Sequence, residues 1–366
     1  MVPITTAFAE FLSGRSAATL TVAPGVTTPR RFSGARREHL STRATAGLFD
    51  FSFMGCVEIS GAASLTFLNS LQTRALDRLQ PGRIAYTLLL RDDGTVLNDA
   101  TVWHLADGRY RLFIGRRSDV ELITRDASNF EVTVRDTTQQ HAVMALQGPA
   151  SFSIIERCFA AKPLNAIPYY SFETLDFAGS DCQLARIGYS GETGYELVIA
   201  DAAAPALWQA LLAAGANAGL LECGFDAADS LRIEAGHILF TRELALAVTP
   251  LELGLARFVD FYRTPFRGAP ALQAQRWRAP RRRLVGLLPP ADPAADRGLP
   301  ERSARGNAVM TSTCWSPLYR RCLGIGFVAA EDAYPGTRVR LNSGMRAQIA
   351  RLPFYDPGRS LPRRTP

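Results

Sequence analysis

Three kinds of feature are scarce or missing in this chain of 366 residues, and each absence excludes a class of protein. Lys162 is the only lysine, so the net charge of +7 is carried by arginines that are spread along the whole sequence. Nucleic-acid binding needs clustered cations, so this spread argues against it. No apolar run approaches the roughly 18 residues that a membrane span requires. We therefore predict a cytoplasmic protein without a membrane segment.

The cysteines also lack the spacing that metal and redox sites need. Zinc sites and dithiol motifs place two cysteines a few residues apart, and no such pair occurs here. We predict buried thiols and no metal site. The cysteines are Cys56, Cys158, Cys182, Cys223, Cys314 and Cys322.

Apolar periodicity changes along the chain between spacings typical of strands and of helices, which predicts a mixed α+β class. Alternating stretches predict strands at 57–60, 86–90 and 110–114, and helical spacing predicts helices after Gly61, over 203–213 and from Asp226. Residues 1–32 are predicted to be an irregular N-terminal lead, although 11–37 superficially resemble a transit peptide in composition.

The composition changes abruptly near residue 276, which predicts a domain boundary. The segment becomes basic and then rich in proline, at Pro289 and Pro290. We predict one mixed region over 33–275, formed by two interleaved α+β domains, and a linker over 276–283. Short strands between Gly and Pro turns then predict a small all-β domain over 284–360.

The first candidate for chemistry is a polar pair inside an apolar strand, Asn98 and Asp99. Neighbouring side chains on a strand point to opposite faces, so one of the two faces the interior. A buried carboxylate is costly unless it is paired or used, and burial raises its pKa toward a range that suits proton transfer. Asp99 is therefore a candidate general acid or base. The alternative is a capped strand end or a turn.

The second candidate is Glu196, on the outgoing strand of a glycine-punctuated hairpin over 185–199. Glu196 shares one strand face with Val198, which places a carboxylate beside an apolar side chain. A carboxylate accepts two coplanar hydrogen bonds, so it suits the adjacent amino and ring N–H groups of a flat heterocycle. The alternative is a charge on an edge strand that prevents aggregation.

The third candidate is Arg232, in the segment DAADSLRIEAG that begins at Asp226. Its guanidinium could bind an acidic ligand. It could also tie its helix to a neighbouring carboxylate, because Asp229 precedes it by three residues and Glu234 follows closely.

Taken together, several segments in order from about residue 37 to 357 resemble the aminomethyltransferase family, the glycine cleavage T-proteins. EHLSTRATAGLFDFSFMG (38–55) is similar to the family's EHxxxRxxaGlfDlSHMG, and GYSGETGYE (188–196) to its GYTGEDGFE. DSLRIEAG (229–236) is similar to DSLRLEAG, and VTPLELGL (248–255) to itPlEaGL. VMALQGPAS around Gln147, TSTCWSP (311–317) and PFYDP (353–357) extend the resemblance.

The resemblance implies a three-domain architecture around a central folate cavity, with a small C-terminal β-barrel domain. It implies tetrahydrofolate as cofactor, a pterin held by Glu196, and Asp99 as the general acid or base. Tyr189, Met54 and Tyr86 would line the cavity, and Tyr355 would add a contact from the C-terminal domain. Arg232 remains a candidate cofactor-binding residue on its local pattern.

The sequence also departs from the family pattern at four places. Phe53 stands where histidine is usual, and the family's paired acids are Asn98 and Asp99. Ala228 occupies the position of an arginine that contacts the pterin, and Gly115 that of an asparagine. These changes weaken the case for glycine cleavage and favour a relative that uses another donor.

The leading hypothesis is therefore tetrahydrofolate-dependent transfer of a methyl or methylene group from a small-molecule donor. The first alternative is the glycine cleavage aminomethyltransferase, which requires a lipoyl carrier protein as partner. The second is a folate-binding protein without catalysis. It ranks lower because the KGCxxGQE-like motif of the iron–sulfur-assembly relatives is missing.

Overall fold

A computed structural model describes residues 6–16, 18–23, 26–159, 167–263, 265–290 and 307–364. Its helices are α1 (Ala7–Ser13), α2 (Ala35–Ala44), α3 (Ser64–Leu71), α4 (Val120–Asp126), α5 (Ser151–Cys158), α6 (Ala204–Gly215), α7 (Phe225–Glu234) and α8 (Ala269–Gln275). The strands of the first part are β1 (Ala18–Ala23), β2 (Val26–Arg31), β3 (Gly47–Asp50), β4 (Gly55–Ser60), β5 (Ile84–Leu90), β6 (Val96–Ala106), β7 (Arg109–Ile114), β8 (Thr133–Asp136) and β9 (His141–Gln147). Those of the second part are β10 (Phe172–Phe177), β11 (Ser180–Ala185), β12 (Gly194–Ala200), β13 (Leu221–Cys223), β14 (Arg282–Leu288), β15 (Asn307–Ser316), β16 (Arg321–Ala329), β17 (Arg338–Leu341) and β18 (Arg346–Ala350).

The N-terminal segment is regular where it is described, so the prediction of an irregular lead over 1–32 is wrong there. Phe8 and Leu12 lie one helical turn apart in α1 and are buried, and the Phe8 ring packs 5.5 Å from the Trp208 ring of α6. The Thr6 side chain caps this helix by accepting from the Ala9 N–H. Strands β1 and β2 then form an antiparallel hairpin. Residues 1–5, 17, 24 and 25 of the predicted lead lie outside the described residues.

A six-stranded sheet in the order β10-β11-β12-β9-β3-β13 forms one wall of the molecule. Its central strands are almost continuously apolar and buried, because both faces are covered. One face packs on α1, α5 and α6 around Trp208, and the other packs against α7 at Leu231. The predicted hairpin over 185–199 is formed by β11 and β12, joined by the residues of the GYSGET segment.

A five-stranded antiparallel sheet in the order β5-β6-β7-β4-β8 forms a second wall. Its strand β6 alternates between two environments. Ala100 and Val102 are buried against Phe67 and Leu68 of α3. Asp99 therefore points to the opposite face, away from that helix.

The C-terminal part is a closed barrel in the order β14-β16-β15-β17-β18. This finding confirms the predicted barrel and the α+β class. Residues 276–281 connect α8 to β14, so the predicted linker over 276–283 overlaps the first two barrel residues. Residues 291–306 of the predicted barrel domain lie outside the described residues. In the described parts of the chain, no helix is long and apolar enough to cross a membrane.

Buried ion pairs join these units. The Arg43 guanidinium of α2 donates to Glu234 of α7 at 2.8 Å and to Glu192 of the β11–β12 loop at 3.0 Å. The same guanidinium lies 3.8 Å from the ring centroid of Tyr355, which follows the barrel. Three segments distant in sequence are thereby fixed around one side chain.

Arg232 likewise connects segments that are distant in the sequence. Its fully buried guanidinium donates to Asp229 at 2.7 Å, to Glu243 at 3.0 Å and to the Ser312 hydroxyl of β15 at 2.7 Å. Nη1 also donates to the His237 carbonyl oxygen at 3.0 Å. Every terminal nitrogen of Arg232 is thus used within the protein.

We expect Arg232→Met to lower the free energy of unfolding by about 3–5 kcal/mol, because it leaves the buried Glu243 carboxylate without its cation. The matched control is Arg30→Met, which removes a half-exposed pair with Asp226 on the same helix and should cost less than about 1 kcal/mol. Urea denaturation of both variants checks this. Equal midpoints for the two variants would contradict the structural role of Arg232.

Candidate functional site

A cavity of about 1410 Å³ lies where the five-stranded sheet, the six-stranded sheet and the segment after the barrel meet. Ligand pockets commonly enclose roughly 300–1,000 Å³, so this one has room for two partners side by side. Six of the seven residues singled out from the sequence line it: Met54, Tyr86, Asp99, Tyr189, Glu196 and Tyr355.

Asp99 lies within β6, with its carboxylate in the cavity. The Tyr86 hydroxyl donates to its Oδ2 at 3.1 Å. Burial raises the pKa of Asp99 to about 6, and the hydrogen bond from Tyr86 opposes part of that rise. No cation pairs with Asp99 in the part of the chain that the structure describes. Because Asp99 lies inside β6 and not at its end, the alternative of a turn or a capped strand end is wrong.

Asn98, the neighbour of Asp99, serves the opposite face of the sheet. It is fully buried, and its Nδ2 donates to Asp119 Oδ2 at 2.9 Å. The amide thus satisfies a buried carboxyl outside the cavity. Where the family pattern has two acids, this chain keeps only the one that faces the cavity.

Glu196 lies on β12, which pairs with β11 on one side and β9 on the other. It is therefore on a central strand, and the edge-strand alternative is wrong. Its cross-strand neighbours are the small residues Ala185 and Ala145, which leave the carboxylate uncovered toward the cavity. Burial raises the pKa of Glu196 to about 7. Among the described residues, none donates a hydrogen bond to this carboxylate.

Tyr189 and Tyr355 are held rigidly in the cavity wall. The Tyr189 hydroxyl donates to the Ile238 carbonyl oxygen, and its ring stacks on His237 at 5.5 Å. Tyr355 lies under the Arg43 guanidinium, and its backbone N–H donates to the Glu234 carbonyl oxygen at 2.8 Å. These rings can pack against a planar ligand without first becoming ordered.

Arg232 does not reach the cavity, so its prediction as a ligand-binding residue is corrected. Its guanidinium donates hydrogen bonds to Asp229, Glu243 and Ser312. Only Asp229 could be predicted as a partner from the sequence, because Glu243 and Ser312 lie outside the helix. Ala228 of α7 is buried in the same hydrophobic core as Leu231. The arginines that line the cavity come from other segments: Arg74, Arg78, Arg83, Arg257, Arg359 and Arg363.

Several further lining residues were missed from the sequence. His237 follows the end of α7, and burial together with Arg359 lowers its pKa to about 3, so it is neutral. Tyr170 lies near Glu196, and its own pKa is raised by burial. Phe240 covers Gly115, where a Cβ would lie 2.5 Å from its ring. The sequence shows a glycine at position 115 in place of the family's asparagine, but it does not show that the Phe240 ring packs over it.

No cluster of His, Cys, Asp or Glu that could hold a metal ion occurs within the described ranges. The cavity lining includes carboxylates, phenol hydroxyls, aromatic faces and arginine side chains.

Comparison with known proteins gives consistent matches over nearly the whole chain. The family model described as the GCVT N-terminal domain matches residues 8–263. The aminomethyltransferase of Moorella thermoacetica is 36% identical over 339 residues, covering 89% of this chain and 91% of that protein. The aminomethyltransferase of Streptomyces coelicolor is 36% identical over 357 residues, covering 92% of this chain and 94% of that protein.

A solved structure gives the same result. The glycine cleavage system aminomethyltransferase T from Bartonella henselae superposes with a TM-score of 0.79 at 25% identity. The match covers 95% of this chain and 97% of that one.

We expect Glu196→Gln to stabilise the ligand-free protein at pH 8 by on the order of 2 kcal/mol and to leave it unchanged at pH 4. The folded protein keeps the Glu196 proton up to about pH 7, whereas the usual pKa is 4.5, so ionisation destabilises the fold as the pH rises through that window. Thermal melting at both pH values measures the effect.

The matched control is Glu121→Gln, which changes an exposed carboxylate in α4. It should alter neither melting temperature by an amount comparable with that of Glu196→Gln. A Glu196→Gln protein that melts lower than the parent at pH 8 would mean that the carboxylate has a partner inside the fold.

Proposed function

The chain belongs to the aminomethyltransferase (glycine cleavage T-protein) family, and we propose that it transfers a one-carbon unit to tetrahydrofolate as an aminomethyltransferase. The names of its relatives favour this activity over the small-molecule methyl donor that the sequence departures first suggested. The single observation that carries the proposal is the pair of cavity carboxylates, Asp99 and Glu196, neither of which has a cationic partner in the described structure.

The cavity fits a reduced folate on the evidence of Glu196. An ionised carboxylate that is buried and lacks donors gains most from a ligand that brings two N–H groups in one plane. The amino group and ring N–H of a pterin have that arrangement. Tyr189 and Tyr170 supply flat surfaces for its rings.

Tetrahydrofolate supplies the ring nitrogen that accepts the carbon when it is bound. Asp99 then takes a proton from that nitrogen or returns one to the leaving amine, which a pKa of about 6 permits near neutral pH. Tyr86 orients the carboxylate through its hydrogen bond. The cavity walls would hold donor and acceptor in line, and such positioning contributes much of the acceleration of two-substrate reactions.

Replacing Asp99 by Asn should lower kcat by roughly 10²–10⁴-fold, the usual contribution of a general acid or base, and change the Kd for tetrahydrofolate by less than about twofold. The matched control is Asp107→Asn, an exposed position at the end of the same hairpin. Steady-state kinetics and fluorescence titration measure the two quantities. An unchanged kcat would remove Asp99 from the mechanism.

The pH dependence follows from the two raised pKa values. Asp99 must be ionised to accept a proton, so kcat at saturating tetrahydrofolate should fall at acid pH, with a limiting slope of about tenfold per pH unit. Glu196 binds N–H groups as a carboxylate, so the Kd for tetrahydrofolate should weaken below about pH 7. The second dependence should vanish in Glu196→Gln. A flat binding profile between pH 5 and 8 in the parent protein would contradict the role of Glu196.

The one-carbon donor is identified by assaying the protein with two kinds of candidate donor. Glycine cleavage requires an aminomethylated lipoyl carrier protein as partner, and the assay measures methylene transfer from that carrier to tetrahydrofolate. We expect turnover with the carrier. Turnover with small N-methyl or S-methyl compounds and none with the carrier would instead support the small-molecule donor.

A further inference from the structure

Two aromatic side chains near α8 project into solvent. Trp277 is 84% exposed and Tyr262 is 81% exposed, and they are the most exposed large apolar side chains in the part of the chain that the structure describes. A ring that stays in water contributes little to the stability of a single chain, whereas clustered exposed rings mark a surface that a partner covers. Neither ring lines the cavity.

A single guanidinium holds these rings together. The Cζ atom of Arg276 lies 4.3 Å from the ring centroid of Tyr262 and 4.6 Å from that of Trp277. It also lies 4.9 Å from the ring centroid of Phe261, which packs against the core. Arg276 Nη2 donates to the Tyr262 hydroxyl, and Gln273 Nε2 donates to the Phe261 carbonyl oxygen at 3.2 Å. The exposed rings are therefore ordered before a partner binds, which lowers the entropic cost of association.

The segment that carries these rings is strongly basic. Residues 261–283 contain seven arginines and no acidic residue. Arg267 and Arg282 form ion pairs with carboxylates of the fold. Three further arginines are exposed and form no ion pair among the described residues: Arg278, Arg281 and Arg283. Unpaired cations near an apolar anchor favour a partner of opposite charge and speed its association.

The composition of this surface fits a protein partner. Tryptophan, tyrosine and arginine are the residues that most often dominate the binding energy at the centre of a protein interface. Single-stranded nucleic acid needs a row of rings along a basic groove, whereas Tyr262 and Trp277 share the Arg276 guanidinium and form one compact anchor. A protein with acidic side chains around an apolar contact is therefore the partner that this surface favours.

The same surface adjoins the cavity. Phe258 lines the cavity, and Tyr262 follows it by four residues, which limits their separation to about 14 Å. Phe261 packs against the same core as Tyr86, which also lines the cavity. A protein bound at Tyr262 and Trp277 would therefore lie beside the cavity wall.

We propose that Tyr262, Arg276 and Trp277 anchor a docking surface for the protein that carries the one-carbon donor, and that this carrier presents acidic side chains to the arginines that follow. The proposal rests on the proposed function, because it assigns the surface on which the lipoyl carrier protein binds. A donor attached to a protein can react only if its carrier binds next to the cavity. The surface sets the affinity for the carrier and takes no part in the chemical step.

The test measures carrier binding and chemistry separately. Trp277→Ala in the full chain should raise the Kd for the lipoyl carrier protein, and the KM for its aminomethylated form, by about tenfold, an effect typical of a central interface tryptophan. The kcat at saturating carrier, the Kd for tetrahydrofolate and the melting temperature should keep the parent's values, because the ring is exposed and outside the cavity. Isothermal titration, steady-state kinetics and thermal melting supply the measurements. An unchanged Kd for the carrier would overturn the proposal.

Matched variants assign the effect to this surface. Trp315→Ala removes a tryptophan that is 57% exposed on β15 of the barrel, and it should leave the Kd for the carrier within about twofold of the parent's value. Arg276→Gln should weaken carrier binding as Trp277→Ala does, because it removes both the charge and the group that orders the rings. Equal losses of affinity in Trp315→Ala and Trp277→Ala would overturn the proposal.

The charge of the surface is tested with salt and with a second polyanion. Raising the ionic strength should weaken carrier binding to the parent more than to a triple variant with Arg278→Gln, Arg281→Gln and Arg283→Gln. A labelled single-stranded oligonucleotide should bind the parent more weakly than the carrier does. Oligonucleotide binding that Trp277→Ala abolishes, together with an unchanged Kd for the carrier, would assign the surface to nucleic acid and overturn the proposal.

Turnover separates this proposal from the proposed function. If Trp277→Ala weakened carrier binding but the parent transferred no carbon from the aminomethylated carrier to tetrahydrofolate, the proposed function would fail while the docking surface stood. If the parent transferred carbon from the carrier and Trp277→Ala changed neither KM nor Kd, the docking surface alone would fail.

Discussion

Two cavity carboxylates, neither of which forms an ion pair within the described structure, are the constraint on which the rest of the structure depends. Asp99 and Glu196 come from different sheets, and burial raises both pKa values toward neutrality. Each ionised carboxylate destabilises the ligand-free protein, and a ligand that brings N–H groups or positive charge offsets this destabilisation. The ligand-free protein is therefore less stable, but the same carboxylates are available for ligand binding and proton transfer.

Two buried arginines are paired with carboxylates of the fold and not with Asp99 or Glu196. Arg43 is held by Glu192 and Glu234, and Arg232 by Asp229 and Glu243. These ion pairs connect α2, α7, the β11–β12 loop and the barrel, so they hold the cavity walls together. The segments most similar to the family therefore contribute both to the cavity and to these ion pairs.

The sequence predicted those parts of the site that depend on local pattern. Local pattern made Glu196 and Asp99 candidates while leaving structural alternatives open, and the family resemblance selected both. Short strands between turns predicted a small all-β unit at the C-terminus, and the resemblance implied that it is a barrel. The role of Arg232 was wrong because its partners Glu243 and Ser312 lie outside the helix that suggested it, and the N-terminal helix was missed because its core partner, Trp208, is remote in the chain. Phe240 could not be found at all, since only tertiary packing brings it over Gly115.

The most direct test of the account is a crystal structure of the chain with tetrahydrofolate bound. It should show the Glu196 carboxylate accepting hydrogen bonds of roughly 3 Å from the amino group and ring N–H of the pterin, with the reactive ring nitrogen facing Asp99. A pterin bound outside the cavity, or one whose edge is turned away from Glu196, would contradict it.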